Sequence, residues 1–211
     1  MNVIVYGGTG KTGSRVVKEL LARGHQVTVG VRDVKKAGTL SNVTVKEDNL
    51  SDPLKIAVTI GGSDAVVSAY APPVDNTDEL VEVTKRQVQA LKRIGGDNVR
   101  LIVVGGAGGL FVAPGVSLLE SGHLPEAWRP IANSHVKALA VLKDSDINWT
   151  YFAPAAFFEP GERTGKFRLG TDTLISDSTG QSRISMEDYG VALVDELEHP
   201  RHLRQRFTIA Y

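Results

Sequence analysis

The chain has 211 residues, with 24 Lys plus Arg balanced by 24 Asp plus Glu, and it contains no cysteine. That length suits one unit with a sizeable core, and the charge balance removes the electrostatic case for nucleic acid or an anionic membrane. The missing thiols exclude disulfides, thiolate metal sites and cysteine nucleophiles. The expected partners are therefore small molecules or protein, with a homodimer allowed. The five histidines show no ligand spacing, so no metal site is expected. A first strand starting at Asn2, with no basic and apolar leader ahead of it, makes the cytoplasm the expected location.

Residues 3–5 are an apolar run, followed by Gly7-Gly-Thr-Gly-Lys-Thr-Gly13 and then by Val16, Val17, Leu20 and Leu21 at helical spacing. Arg23 and Gly24 close that helix, and residues 27–31 form a second strand. Strand, glycine turn, helix and strand make a βαβ unit of the kind that places a pyrophosphate at a helix N-terminus. Both Gly8, Gly10, Gly13 and Gly7, Gly10, Gly13 satisfy a dinucleotide spacing. A nucleoside-triphosphatase loop ending in Lys11-Thr12 would need glycine at position 5, where Val5 stands. Arg32, followed by Lys35 and Lys36, takes the place of an acidic ribose ligand, and this basic group points to NADP(H) over NAD(H).

Residues 43–47 read as a third strand, ending at Asp48 and Asn49. These two either bond the adenine or serve as ordinary turn and N-cap residues before a short helix from Pro53 through Val58. Residues 64–70 form a buried-type strand that puts Ser68, Ala69 and Tyr70 at the carboxyl edge as cofactor neighbours, Tyr70 alternatively being a rim aromatic. A helix over 77–94, with Asp78 and Glu79 in its first turn, leads to a strand over 100–104. The next segment, Gly105-Gly-Ala-Gly-Gly109, should abut the nicotinamide, with Gly105 and Gly106 nearest the strand. Although residues 101–119 are uncharged, five glycines and Pro114 rule out a membrane span.

Residues 110–131 read as a long loop, either a pocket wall containing Phe111, Leu118, Leu119, His123 and Trp128 or ordinary packing. A helix over 133–143 and a strand over 148–152 follow. Strand and helix thus alternate six times, which predicts an α/β fold, a Rossmann-like doubly wound parallel sheet. About residues 1–152 would form the dinucleotide-binding core, and about 153–211 a small C-terminal substrate-side portion. In that portion residues 161–174 are turn-rich and basic. Ser185-Met-Glu-Asp188 has the form of a capping box whose carboxylates serve a helix N-terminus, and residues 206–211 read as an edge strand.

The glycine turn, Val31-Arg-Asp33, Val103-Val-Gly-Gly-Ala-Gly108, the stretch from Pro154 to Gly170 and Arg183-Ile-Ser-Met-Glu-Asp-Tyr189 together resemble the atypical short-chain dehydrogenases. Within them the chain is most similar to bacterial NADH-flavin reductase-like proteins, and more distantly to biliverdin reductase B and NmrA-like proteins. The resemblance implies cofactor contacts from Gly7, Thr9, Gly10, Lys11, Thr12, Gly13, Arg32 and Lys36, and from Pro154, Ala155, Ala156 and Phe157. The wider superfamily uses a Tyr-x-x-x-Lys pair, but here Asn133 precedes Lys137 by four. The amide cannot be the acid, while Lys137 can retain a ribose-positioning role. Reduction of flavin or a quinone tolerates that loss, because the proton can come from water; flavin would then be a substrate, not a prosthetic group. The acceptor slot would be walled by the 105–109 loop, Phe111, Trp128, Phe157 and Phe158. The rivals are an NmrA-like redox sensor that signals to a protein partner without turnover and, more weakly, a sugar epimerase or dehydratase.

Overall fold

The computed structural model describes residues 1–36, 40–96 and 98–211, the side chain of Lys36 excepted. Its β1 (Asn2–Tyr6) shows why the sheet is covered on both faces. Val3 and Val5 point into one core and Ile4 and Tyr6 into the other, as the two-residue period of a strand requires. β2 (Gln26–Val31), β3 (Thr44–Glu47), β4 (Ala65–Ser68), β5 (Arg100–Val104) and β8 (Trp149–Ala153) join it in parallel, as does β12 (Gln205–Ala210). With β10 (Arg168–Gly170) outermost, the sheet order is β10-β12-β8-β5-β4-β1-β2-β3, so strand order reverses between β1 and β4.

Helices α2 (Pro53–Ile60), α3 (Glu79–Arg93) and α4 (Arg129–Lys143) cover one face, and α1 (Lys11–Ala22) and α5 (Met186–Glu198) cover the other. Five crossovers between parallel strands are helical; the sixth, from β2 to β3, holds one 3-10 turn at Val34–Lys36 among its described residues. The doubly wound sheet is therefore as expected, with one helix fewer than six alternations imply. α1 ends in Gly24 at φ 78°, with His25 N bonded to Leu20 O at 3.0 Å and Gly24 N to Leu21 O at 3.0 Å. This left-handed residue is the glycine C-cap expected after Arg23.

Several expectations are corrected. The C-terminal strand is not an edge strand, because β10 (Arg168–Gly170) pairs antiparallel outside it. Arg168 holds that outer strand by donating to Ser176 O at 2.8 Å and to Tyr211 O. The supposed loop 110–131 contains the hairpin of β6 (Phe111–Ala113) and β7 (Val116–Ser117), a 3-10 turn at Glu126–Trp128 and the first turn of α4. α4 starts four residues early because Pro130 occupies a first-turn position, where a missing N–H costs nothing. Asp78 flanks α3 as its N-cap residue and is not part of its first turn. Residues 101–119 form β5, the glycine loop and the hairpin, and among the described residues no helix is long and apolar enough to cross a membrane.

The capping box is half formed. Ser185 Oγ accepts from Asp188 N at 3.0 Å, but the Asp188 carboxylate accepts from Thr164 Oγ1 at 2.6 Å, Gly165 N at 2.7 Å and Tyr211 Oη at 2.9 Å. Glu187 takes Gly161 N at 2.7 Å and Arg15 Nε at 2.5 Å. The two carboxylates thus bind a strap over residues 160–167, which leaves β9 (Phe157–Glu159) after it has paired with β11 (Arg183–Ser185). Arg163 of the strap reaches Glu19 on α1 at 2.8 Å. Arg23, at the far end of α1, reaches Asp195 and Glu198 of α5, each at 2.7 Å.

Candidate functional site

The first glycine segment is shaped by backbone contacts. Gly7 has φ 75°, and a Cβ there would lie 2.2 Å from Ala69 O; a Cβ on Gly13 would lie 2.1 Å from Gly7 O. The Gly7, Gly10, Gly13 spacing is thus the one the backbone enforces, while Gly8 makes room for the Val29 side chain. Gly10 N bonds Gly7 O at 2.9 Å and Gly10 caps α1 with no side-chain acceptor. The first amides of α1, from Lys11, Thr12 and Gly13, have no partner within the helix and form an anion-binding end.

Beside this turn lies a cleft of about 600 Å³ at the carboxyl edge of the sheet, where strand order reverses. It brings together Gly7, Thr9, Gly10, Arg32, Asp48, Asn49, Ala69 and Tyr70 from four separate segments. Arg32 is exposed on its wall. The Tyr70 hydroxyl is pushed up by burial and by Glu79, with Arg32 and Arg86 opposing the rise. Ser68 is buried just below the cleft.

Asp48 and Asn49 line the cleft, but their side-chain oxygens already serve the turn. Asp48 accepts from Tyr6 Oη at 2.8 Å and from Leu50 N at 2.9 Å; Asn49 Oδ1 accepts from Ser51 N at 3.1 Å and Ser51 Oγ at 2.7 Å. The N-cap of α2 is Asp52, which accepts from Leu54 N at 2.8 Å. Tyr6, whose hydroxyl is held un-ionised by burial and then by Asp48, lays its ring 2.5 Å from where a Gly30 Cβ would be. Gly30 is therefore glycine to seat the cross-strand tyrosine in the floor of the cleft.

The second glycine segment has a different cause. A Cβ on Gly105 would meet Tyr151 Cε1 at 2.4 Å, and one on Gly106 would meet His135 Cδ2 at 2.9 Å. Gly106 N donates to Tyr151 Oη at 2.9 Å, and that hydroxyl lies 3.3 Å from His135 Nδ1. Burial pushes the His135 ring down to about 4 and the Tyr151 hydroxyl up, so both are neutral near pH 7. Neither residue stood out in the sequence, since a tyrosine inside a strand and a histidine on a helix carry no motif.

Lys137 is ion-paired with Asp78 at 2.7 Å, and Ser134 Oγ donates to the same carboxylate at 2.7 Å. Lys137 first and Ser134 second hold Asp78 below the usual carboxylate range. Asn133 is exposed and lines a separate cavity of about 320 Å³ with Leu119, Glu126, Arg129 and Pro130. Pro154 and Ala155 are buried, while Ala156 and Phe157 are exposed.

The residues of the expected aromatic wall have separate surroundings. Phe158 packs on Tyr189, ring centroids 4.8 Å apart, against the core. Phe111 lies under the Arg206 guanidinium at 5.9 Å, and Trp128 projects from the turn before α4 with 63% of its surface exposed. Lys36, whose side chain is outside the described residues, completes the predicted set. Among the described residues, no three His, Asp or Glu side chains gather as a metal site.

A dinucleotide fits the residues of the cleft: a glycine cradle that a Cβ would fill, uncapped helix amides, and a cation at the end of β2. Comparison with known proteins agrees. A family described as NAD(P)H-binding matches residues 7–200. A Burkholderia pseudomallei structure named as a provisional exported protein is 41% identical with TM-score 0.89, covering all of both chains. A provisional epimerase from Bacteroides thetaiotaomicron is 39% identical, TM-score 0.90, covering 100% of this chain and 96% of that one. A Streptococcus pneumoniae protein provisionally assigned as an NADH-flavin reductase is 31% identical, TM-score 0.89, covering 100% and 99%.

Proposed function

The chain belongs to the NAD(P)H-binding family, and from that premise we propose that it is an oxidoreductase delivering hydride from NADPH to a flavin or quinone-like acceptor. One observation carries the reading: the glycine turn and Arg32 line one cleft, while the residue four before Lys137, where the superfamily's sequence pattern has its tyrosine acid, is the amide Asn133. The uncapped α1 amides and the turn at Thr9 would hold the diphosphate, and Arg32 the 2′-phosphate. Ala69 and Tyr70 would flank the cofactor. When bound, the reduced nicotinamide supplies the hydride. The Tyr151 hydroxyl holds Gly106 N and so shapes the loop beside it. Lys137 donates to Asp78 and keeps two further N–H donors with which it would reach a ribose. The same proposal assigns the protein to the cytoplasm, with small-molecule partners.

Loss of NADPH absorbance on adding FMN is the expected outcome; no turnover with flavins, quinones or biliverdin defeats the proposal. Equal affinities for NADPH and NADH would remove the role given to Arg32. The missing tyrosine acid favours a second reading, a redox sensor that binds the dinucleotide and signals to a protein partner. That reading requires different affinities for oxidised and reduced cofactor and a partner recovered by pull-down. An epimerase is less favoured, because the acid is missing and the C-terminal portion is small for a nucleotide sugar.

A further inference from the structure

The cavity at the start of α4 shares no lining residue with the dinucleotide cleft. Arg129 and Asn133 are four residues apart and so project from one helix face. Leu119 and Pro130 supply the apolar part of the lining. Leu119 N donates to Gly108 O at 2.8 Å, which ties that lining to the glycine loop beyond β5. Glu126 approaches Arg129 Nε at only 3.5 Å, and the Glu126 side chain is 93% exposed. This loose pair leaves the terminal guanidinium nitrogens able to take an oxyanion in two-point fashion, and the helix N-terminus adds to the attraction. At about 320 Å³ the space is at the small end of ligand pockets, suited to the tail of an acceptor and not to its ring system as well.

We propose that Arg129, helped by the Asn133 amide, anchors a phosphomonoester tail of the flat acceptor, whose ring then lies toward the 105–109 loop. The acceptor class rests on the reductase reading; the anion site rests on the cavity. Glu126 opposes the incoming anion and tempers its affinity.

The test is titration of FMN and of riboflavin, followed by flavin fluorescence, into the NADP-loaded full chain, with Arg129→Gln and Glu126→Gln beside the native protein. FMN should bind more tightly than riboflavin. Arg129→Gln should weaken FMN about tenfold, the loss of one charge-assisted contact, and leave riboflavin unchanged. Glu126→Gln should tighten FMN. Equal binding of the two flavins, or equal weakening of both by Arg129→Gln, overturns the anchor. Steady-state turnover on the same samples separates the two claims. Arg129-dependent FMN binding without turnover keeps the anchor and defeats the reductase, while turnover with equal FMN and riboflavin parameters does the reverse. Failure to bind either flavin defeats the anchor, while NADPH turnover with a quinone would still uphold the reductase.

Discussion

Gly13 has no room for a side chain, because the group it would strike is the Gly7 carbonyl, which cannot rotate away. Gly13→Ala should cost about 3 kcal/mol, the upper end of overpacking penalties, and abolish dinucleotide binding, as read by thermal melting with and without NADP. Unchanged melting would show that the turn yields more readily than its contacts imply. His135 makes a different prediction. Its folded pKa, about 4, lies below the ordinary histidine value of 6.5, so the neutral ring's contribution to stability is complete above about pH 6.5. That contribution is lost as the pH falls toward 4. Nitrogen NMR should find the ring neutral at pH 5.5, and a charged ring there would contradict its burial.

The strap over 160–167 depends on carboxylates at both of its anchor points. Hydrogen bonding by Arg163 chiefly holds Glu19 below its usual value, with Arg23 adding to this and burial opposing it. A depressed carboxylate stabilises above its unfolded value, about 4.5, and loses that effect as the pH falls through the folded one. The melting-temperature gap between the native chain and Glu19→Gln should therefore be full at pH 7 and close on acidification; a constant gap would assign the effect to packing. Regular elements were legible wherever periodicity was long, as in α1, α3 and the parallel strands. β10 was not, because three residues carry no period and its pairing is fixed from a distance by Arg168 and Tyr211. The capping box was legible in form, but the partners of Asp188 lie some twenty residues back, where no local pattern can reveal them.

Across the molecule, the topology followed from alternation of strand and helix, and the cleft from the point where strand order reverses. The Arg32 side of the cleft was readable because its residues follow directly from strand ends. The acceptor side was not, since Phe111 is oriented by Arg206 from the last strand and Phe158 is drawn into the core by Tyr189. Position after a strand end marks Gly105 and Gly106 as cofactor neighbours in the sequence, yet the need for glycine there comes from Tyr151 and His135. The helix that begins at the phosphate turn is fastened to α5 near both of its ends, through Arg15–Glu187 and through Arg23 with Asp195 and Glu198. It cannot slide along the sheet without breaking ion pairs, so its amides are aimed before any ligand arrives. Capture of a diphosphate then spends little on ordering the chain, and the rate of capture is set by encounter, not by a rearrangement of the fold.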